Sequence, residues 1–186
     1  MKMIKRMDLG KAVLYLDLDG TVRHGKDELG RFVNGPGDVT VFPEAVVLMR
    51  RWHERGGRII AVSNQGGIAL GITDAELVAE AMAETQRQTG HLFDLVRWCP
   101  HHPGAADPGM ARCWCRKPAP GLLIQAAVEL AERNGEVYPL HLALMVGDRP
   151  EDQRCAATCG MDFMWAKDWR LLADLPEQLV AEGSRG

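Results

Sequence analysis

The sequence lacks a hydrophobic run long enough to cross a membrane. The longest apolar run near its start covers residues 12–16, whereas a bilayer-spanning helix needs about 20 apolar residues. The basic start of the chain is followed by no signal-peptide core and no small-residue cleavage site. We therefore expect a cytoplasmic protein that has no membrane partner.

The chain also lacks a strong excess of charge of either sign. Its formal net charge is -3, so no bulk basic field attracts nucleic acid, although a local basic patch would not show in this sum. Hydrophobic residues make up 46% and charged residues 25%, which is ordinary for a soluble globular protein. Internal repeats and low-complexity tracts are absent, and 186 residues suffice for one sizeable core. We expect one domain over residues 1–186, acting as a monomer.

Cysteines are few and odd in number, which fits metal ligation better than a set of disulfides. Three of the five crowd around a His-His pair in a loop over residues 99–115. Three thiolates and one imidazole form the closed tetrahedral shell of a structural zinc site. The alternatives are His102 as the imidazole ligand, or three free thiols beside a chance histidine. The predicted zinc ligands are Cys99, His101, Cys113 and Cys115.

Short apolar runs alternate with segments of helical period, which predicts an α/β fold with a parallel sheet covered by helices. A capping box, Thr73-x-x-Glu76, is expected to start the second helix. Long irregular loops over residues 23–42 and 99–118 follow predicted strands, at the sheet edge where such folds bind ligands. Strands are predicted over residues 12–17, 58–63, 95–98, 142–146 and 161–165, and helices over residues 44–55, 74–89, 121–133 and 151–158.

Aspartates follow two of the predicted strands. The string DLDGT begins at Asp17, so the carboxylates of Asp17 and Asp19 can converge above the strand end. Carboxylates so close repel each other unless one is protonated or a cation lies between them. Mg²⁺ takes oxygen ligands and would neutralise the site. Asp148 follows the fourth strand and would supply a third carboxylate. The alternative interpretation of the DLDGT string is an aspartate-rich turn after a hydrophobic strand, without function.

Groups suited to phosphate lie at the same sheet edge. A hydroxyl and glycine-flanked backbone N–H groups end the second strand, where they can hold phosphate oxygens. A basic pair precedes a proline before the third helix and could offset phosphate charge, although both features also occur in ordinary solvated loops. The candidate phosphate-binding residues are Ser63, Asn64, Gln65, Arg116, Lys117 and Arg149.

The order of these motifs resembles the haloacid dehalogenase (HAD) superfamily. The matching strings are Asp-x-Asp-Gly-Thr, Ser-Asn, Lys-Pro and Gly-Asp-x-x-x-Asp, spread over roughly residues 12–165. The resemblance implies a Rossmann-like sheet and a magnesium-dependent phosphomonoester hydrolase that works through a phospho-aspartate. It implies Asp17 as nucleophile, Asp19 as general acid and base, and Ser63 and Lys117 on the transferred phosphoryl group. The implied Mg²⁺ ligands are Asp17, the backbone carbonyl of Asp19, and Asp148, with Asp152 as an outer partner.

The loop around the cysteines resembles one branch of that superfamily. Cys-Pro-His-His-Pro, Cys-x-Cys-Arg-Lys-Pro and Asn-Gln-Gly-Gly-Ile-Ala are similar to strings of D,D-heptose 1,7-bisphosphate phosphatases and of histidinol-phosphate phosphatases. About twenty residues separate Thr21 from Pro43, too few for a folded cap domain. The resemblance implies a capless enzyme of carbohydrate metabolism that binds Mg²⁺ and Zn²⁺ and acts on a small phosphorylated metabolite, a sugar bisphosphate.

Several positions depart from that branch and leave the substrate open. Leu18 and Leu70 stand where arginine is usual, Ser63 replaces threonine, and Arg149 replaces lysine. Residues 160–170 do not look like the heptose enzymes and carry aromatic side chains suited to stacking on bases. The alternatives are a histidinol-phosphate phosphatase, a polynucleotide 3'-phosphatase, or a zinc-stabilised binding module whose catalytic site has decayed.

Overall fold

The main sheet of the protein is parallel and has helices on both faces. In a computed structural model, residues 12–26, 33 and 35–175 are described. The strands are β1 (Val13–Leu16), β2 (Arg23–His24), β3 (Thr40–Val41), β4 (Arg58–Asn64), β5 (Leu95–Cys99), β6 (Leu144–Gly147) and β7 (Asp162–Trp165). The helices are α1 (Pro43–Glu54), α2 (Ala75–Gln88), α3 (Pro108–Ala111), α4 (Gly121–Asn134), α5 (Pro150–Thr158) and α6 (Ala166–Leu171).

Strand order places a crevice at the end of β1. The sheet runs β5-β4-β1-β6-β7, and all four neighbouring pairs are parallel. The chain leaves β1 toward β4 on one side and later returns to β6 on the other. Ligands of open α/β sheets bind at such a switch point, outside the carboxyl ends of the strands. The residues that follow β1 therefore lie at the natural binding position of this fold.

The strands are apolar on both faces because each face packs against helices. Within β1, Val13 and Tyr15 face one core cluster, while Leu14 and Leu16 face the other. All four side chains are buried. This alternation fixes which residue of each strand meets each layer of helices, and it confirms the predicted fold class.

Most predicted elements appear within one or two residues of their expected bounds, and three local expectations need correction. The N-cap of α2 is Asp74, whose side chain accepts a hydrogen bond from the Leu77 N–H, so the capping box predicted at Thr73 is wrong. The loop over residues 23–42 holds the antiparallel pair β2–β3, which the sequence did not predict. The short helices α3 and α6 were also not predicted. No helix in the described ranges has the length and apolar character needed to cross a bilayer.

Candidate active site

A buried lysine and two aspartates form the centre of the site. The Lys117 ammonium donates hydrogen bonds to Asp17 Oδ1 at 2.5 Å and to the Val62 carbonyl at 2.8 Å. Its distance to Asp152 Oδ1 is 2.7 Å. The Lys117 side chain is only 2% exposed. Burial alone would lower the pKa of Lys117, but the Asp17 and Asp152 carboxylates outweigh it and the net shift is upward. Lys117 is therefore a fixed cation beside Asp17.

Asn64 holds the backbone that carries this lysine. Its amide nitrogen donates to the Lys117 carbonyl at 2.9 Å, and its amide oxygen accepts from the Lys117 N–H at 3.0 Å. The pair of bonds ties the end of β4 to the loop that follows the cysteine cluster. Asn64 was predicted to bind phosphate, and the structure gives its side chain this positioning contact.

Three carboxylates meet at the carboxyl ends of β1 and β6. Oxygen atoms of Asp17, Asp148 and Asp152 all lie within 4.8 Å of one another. Asp152 Oδ2 also accepts from the Arg149 N–H at 3.1 Å, so both of its oxygens have protein partners. Asp17 and Asp148 are the members best placed to hold a cation, with Asp152 as an outer partner.

The charges of this cluster do not cancel. Three carboxylates against the one Lys117 ammonium leave an excess of -2, from -3 and +1. Arg149 lies 4.0 Å from Asp148, but its side chain is 48% exposed and compensates little. Burial raises the pKa of Asp17 to about 7; Lys117 opposes that shift and Asp152 adds to it. A divalent cation with oxygen ligands supplies the missing charge and keeps the carboxylates ionised.

Gly20 lets the turn after β1 approach this cluster closely. A Cβ at Gly20 would lie 2.3 Å from Asp148 Oδ2, and the residue has φ +88°, a conformation that glycine adopts without strain. The glycine of the Asp-x-Asp-Gly-Thr string is therefore required both for the turn and for the contact with Asp148.

The Asp19 carboxylate is not among the three that converge and is held by Arg23 and Gln65. Arg23 Nε donates to Asp19 Oδ1 at 2.8 Å, and Gln65 Nε2 donates to Asp19 Oδ2 at 2.8 Å. Arg23 Nη1 in turn donates to Thr85 Oγ1 at 2.7 Å and to the Ala81 carbonyl at 3.1 Å. Both oxygens of Asp19 therefore accept hydrogen bonds from the protein. Asp19 is not in the group of carboxylates that converge on one point, which fits the prediction that its backbone carbonyl, and not its side chain, contacts Mg²⁺.

The remaining predicted phosphate ligands surround the same edge. Ser63 is buried, and its hydroxyl accepts from Gln65 Nε2 at 2.8 Å. Arg116 Nη1 donates to the His101 carbonyl at 2.9 Å. Arg149 follows β6 and is half-exposed. Their roles toward phosphate stay predictions.

The cysteine cluster has the dimensions of a metal site. Cys99 Sγ lies 3.2 Å from Cys115 Sγ and 3.6 Å from Cys113 Sγ, far beyond a disulfide bond of about 2.05 Å. His101 Nδ1 lies 3.4 Å from both Cys99 and Cys115. A tetrahedral zinc with Zn–S bonds of about 2.3 Å separates its sulfur ligands by about 3.8 Å. The four ligand atoms are thus nearly at the spacing that zinc requires.

The structure favours His101 over His102 as the imidazole of this cluster. His102 Nδ1 accepts instead from the Gly104 N–H at 3.0 Å. Burial raises the pKa of the Cys99 thiol, so a cation is needed to hold it as a thiolate. Both facts support the four ligands predicted from the sequence.

Known proteins are similar in sequence to this chain over most of its length. Residues 114–168 match the HAD-hydrolase-like family. The chain is 33% identical over 190 residues to a D-glycero-beta-D-manno-heptose-1,7-bisphosphate 7-phosphatase of Yersinia pestis, over 90% of this chain and 95% of that protein. A protein of the same name from Photorhabdus laumondii subsp. laumondii is 32% identical over 156 residues, 81% of this chain and 77% of that protein. The chain belongs to the heptose-bisphosphate phosphatase family of HAD-like hydrolases.

A solved structure shows the same fold. It is a D,D-heptose 1,7-bisphosphate phosphatase from B. bronchiseptica complexed with magnesium and phosphate, with a TM-score of 0.67 at 23% identity. The match covers 92% of this chain and 99% of that one. Together with family membership, this confirms the predicted HAD-type fold and the prediction that the protein is an enzyme hydrolysing phosphoric monoesters.

Two site residues of this HAD phosphatase were missed by sequence reasoning. Arg23 is 1% exposed and holds Asp19, yet its position in the sequence looks like the start of a surface loop. Arg170 reaches the turn after β1 from the far end of the chain. A charged residue two positions after the Asp-x-Asp-Gly-Thr string was the only signal available for Arg23, and Arg170 had none.

Proposed function

We propose that this phosphatase removes one phosphate from a sugar bisphosphate such as D-glycero-D-manno-heptose 1,7-bisphosphate, through a phospho-aspartate at Asp17. The observation that carries the proposal is the Lys117 ammonium, 2.5 Å from the Asp17 carboxylate, within a carboxylate cluster of net charge -2. The Yersinia pestis and Photorhabdus laumondii relatives bear the name of this substrate.

In the first step an oxygen of Asp17 attacks the phosphorus of the ester. The bond from phosphorus to the sugar oxygen breaks, and that oxygen takes a proton from Asp19. Since both Asp19 oxygens accept hydrogen bonds in the structure, the protonated acid must release Arg23 or Gln65 before it can donate. Lys117 meets the negative charge that spreads over the phosphoryl oxygens.

In the second step water hydrolyses the phospho-aspartate. The water oxygen attacks the phosphorus while Asp19 takes a proton from the water. Asp17 leaves as a carboxylate, and because Asp19 is protonated again, the enzyme returns to its starting state. Arg23 and Gln65 hold the Asp19 carboxylate in place for this step. Asp17, Asp148 and the Asp19 carbonyl would hold Mg²⁺, which when bound offsets charge on the phosphate and the carboxylates.

The second metal site, Cys99, His101, Cys113 and Cys115, would hold zinc and order the loop before Lys117. Arg116 links this site to the catalytic edge: its N–H donates to Cys113 Sγ at 3.3 Å and its side chain to the His101 carbonyl at 2.9 Å. Four protein ligands leave no open position for a catalytic water. Zinc therefore supports the placement of Arg116 and Lys117 and takes no part in bond breaking.

The experiment measures phosphate release from sugar bisphosphates, histidinol phosphate, a 3'-phosphorylated oligonucleotide and an aryl phosphate. We expect turnover with Mg²⁺, highest on a sugar bisphosphate, and inhibition by Ca²⁺, because Mg²⁺ demands tight octahedral geometry and Ca²⁺ takes a looser shell. Asp17→Asn is the control for contaminating phosphatase. Full activity after exhaustive chelation, or a preference for the oligonucleotide, would contradict the proposal.

A further inference from the structure

The C-terminal helix α6 contacts the turn after β1. Arg170, in α6, donates from Nη1 to the carbonyls of Gly20 and Thr21, each at 2.8 Å. These carbonyls directly follow Asp19 in the chain. A single guanidinium nitrogen thus bridges two consecutive peptide groups of the turn after β1, from a position 150 residues away.

Phe42 holds the Arg170 guanidinium in place. The centre of the guanidinium lies 4.1 Å from the centroid of the Phe42 ring, a cation–π contact. Phe42 is anchored to the same turn, since its N–H donates to the Val22 carbonyl at 2.9 Å. Arg170 and Phe42 therefore contact each other, and both also contact the turn after β1.

The rest of the turn is fixed from inside. The Leu18 carbonyl accepts from the N–H groups of Thr21, Val22 and Arg23 at 3.1, 2.9 and 2.9 Å. The Gly20 N–H donates to the Arg23 carbonyl at 2.8 Å. A trans peptide is planar, so this last bond also sets the direction of the Asp19 carbonyl, which shares a peptide plane with the Gly20 N–H.

We propose that Arg170 is a positioning residue that holds the Gly20 and Thr21 carbonyls so that the Asp19 carbonyl keeps its place beside the carboxylates of Asp17 and Asp148. The inference rests on the proposed function, in which that carbonyl is a Mg²⁺ ligand. Gly20 lies against Asp148 with no room for a Cβ. A shift of the Gly20 peptide would therefore change the spacing of the ligand set directly.

The test measures Mg²⁺ binding by calorimetry and the Mg²⁺ concentration for half-maximal activity. Arg170→Met removes the guanidinium and keeps an apolar side chain over Phe42. We expect Mg²⁺ binding to weaken by roughly 10–100-fold, the usual cost of removing a group that orients a metal ligand. Arg170→Lys keeps the charge without the guanidinium geometry, and its Mg²⁺ affinity should lie between those of Arg170→Met and the wild type.

The direction of the change in Mg²⁺ affinity distinguishes a positioning role of Arg170 from a purely electrostatic one. Removing a positive charge near Asp148 would, by electrostatics alone, tighten Mg²⁺ binding, whereas loss of positioning weakens it. Arg51→Met is the matched control, because Arg51 is also an arginine that donates to backbone carbonyls, those of Leu172 and Leu175 in the same C-terminal segment. We expect this control to keep the Mg²⁺ affinity and kcat of the wild type.

Mg²⁺ affinity in Arg170→Met equal to that of Arg51→Met, or higher, would overturn the inference while leaving the proposed function intact. Absence of Mg²⁺ binding in the wild type would overturn both. If Arg170→Met does not fold, Arg170→Lys carries the test, and Mg²⁺ affinity equal to the wild type would then refute the positioning role.

Discussion

Replacing Lys117 by methionine tests the electrostatic account of the site most directly. The substitution keeps an unbranched side chain of similar length and removes the ammonium, which lies 2.5 Å from Asp17, 2.7 Å from Asp152 and 2.8 Å from the Val62 carbonyl. Because the ammonium is almost wholly buried, water cannot take its place. At a pH above about 7, where Asp17 is ionised, the charge excess of the carboxylate cluster then changes from -2 to -3.

The structure sets the size of the expected effect. Removing one partner from a buried ion pair costs about 3–5 kcal/mol. For a chain of this length each kcal/mol lowers Tm by about 2–4 °C, so Tm should fall by roughly 6–20 °C in the absence of divalent ions. Bound Mg²⁺ would relieve the repulsion among the three carboxylates. We therefore expect Mg²⁺ to reduce the difference in Tm between Lys117→Met and the wild type.

Thermal unfolding followed by circular dichroism, with chelator and with Mg²⁺, measures both effects. Lys167→Met is the control, since Lys167 is exposed and the same substitution there should leave Tm nearly unchanged. The kcat of Lys117→Met should also fall by about 10²–10³, the usual loss when a charge-stabilising donor is removed. A Tm equal to that of Lys167→Met in chelator would refute the reasoning.

Three further predictions follow from the site. Asp17→Asn should lower kcat by several orders of magnitude with the fold intact by circular dichroism, and retention of more than a few per cent of the activity would exclude Asp17 as nucleophile. Cys113→Ser should raise KM and lower kcat less than Asp17→Asn does, and metal analysis of the wild type should find about one zinc per chain; no zinc together with unchanged kinetics would contradict this. In the metal-free protein the free energy of unfolding should fall as pH rises from about 4 to about 7, because folded Asp17, with its pKa of about 7, holds a proton that the unfolded chain has lost. Urea unfolding across this pH range measures the slope for the wild type and for Asp17→Asn, and equal slopes in the two proteins would contradict the raised pKa of Asp17.

The residues that follow strands could be predicted from the sequence. Apolar runs located the strands, and parallel strands of one sheet bring their carboxyl ends to one edge. Asp17, Ser63 and Asp148 therefore lie where the pattern placed them. The three cysteines and His101 were predicted as zinc ligands from their crowding in one loop, with His102 as an alternative, and the structure brings the four ligand atoms within 4.8 Å of one another.

The partners of these residues could not be predicted, because tertiary packing selects them. Nothing near Thr85 in the sequence indicates that its hydroxyl accepts from Arg23, since that contact depends on how α2 lies against the turn after β1. Arg170 lies in α6, directly after β7, and the placement of these two elements fixes where its side chain reaches. The local sequence pattern predicts which functional groups lie at the end of a strand. The side chains that orient those groups come from segments distant in the sequence.

Arg23 also explains why the site calls for one divalent cation. Four aspartates lie near the catalytic edge, Asp17, Asp19, Asp148 and Asp152, and together with Lys117 alone they would give an excess of -3, from -4 and +1. The buried Arg23 guanidinium pairs with Asp19 at 2.8 Å and reduces the excess to -2. One Mg²⁺ would then neutralise the resting site. An incoming phosphate would bring negative charge of its own, and Arg116 and Arg149, which are predicted phosphate ligands, are not counted in this balance.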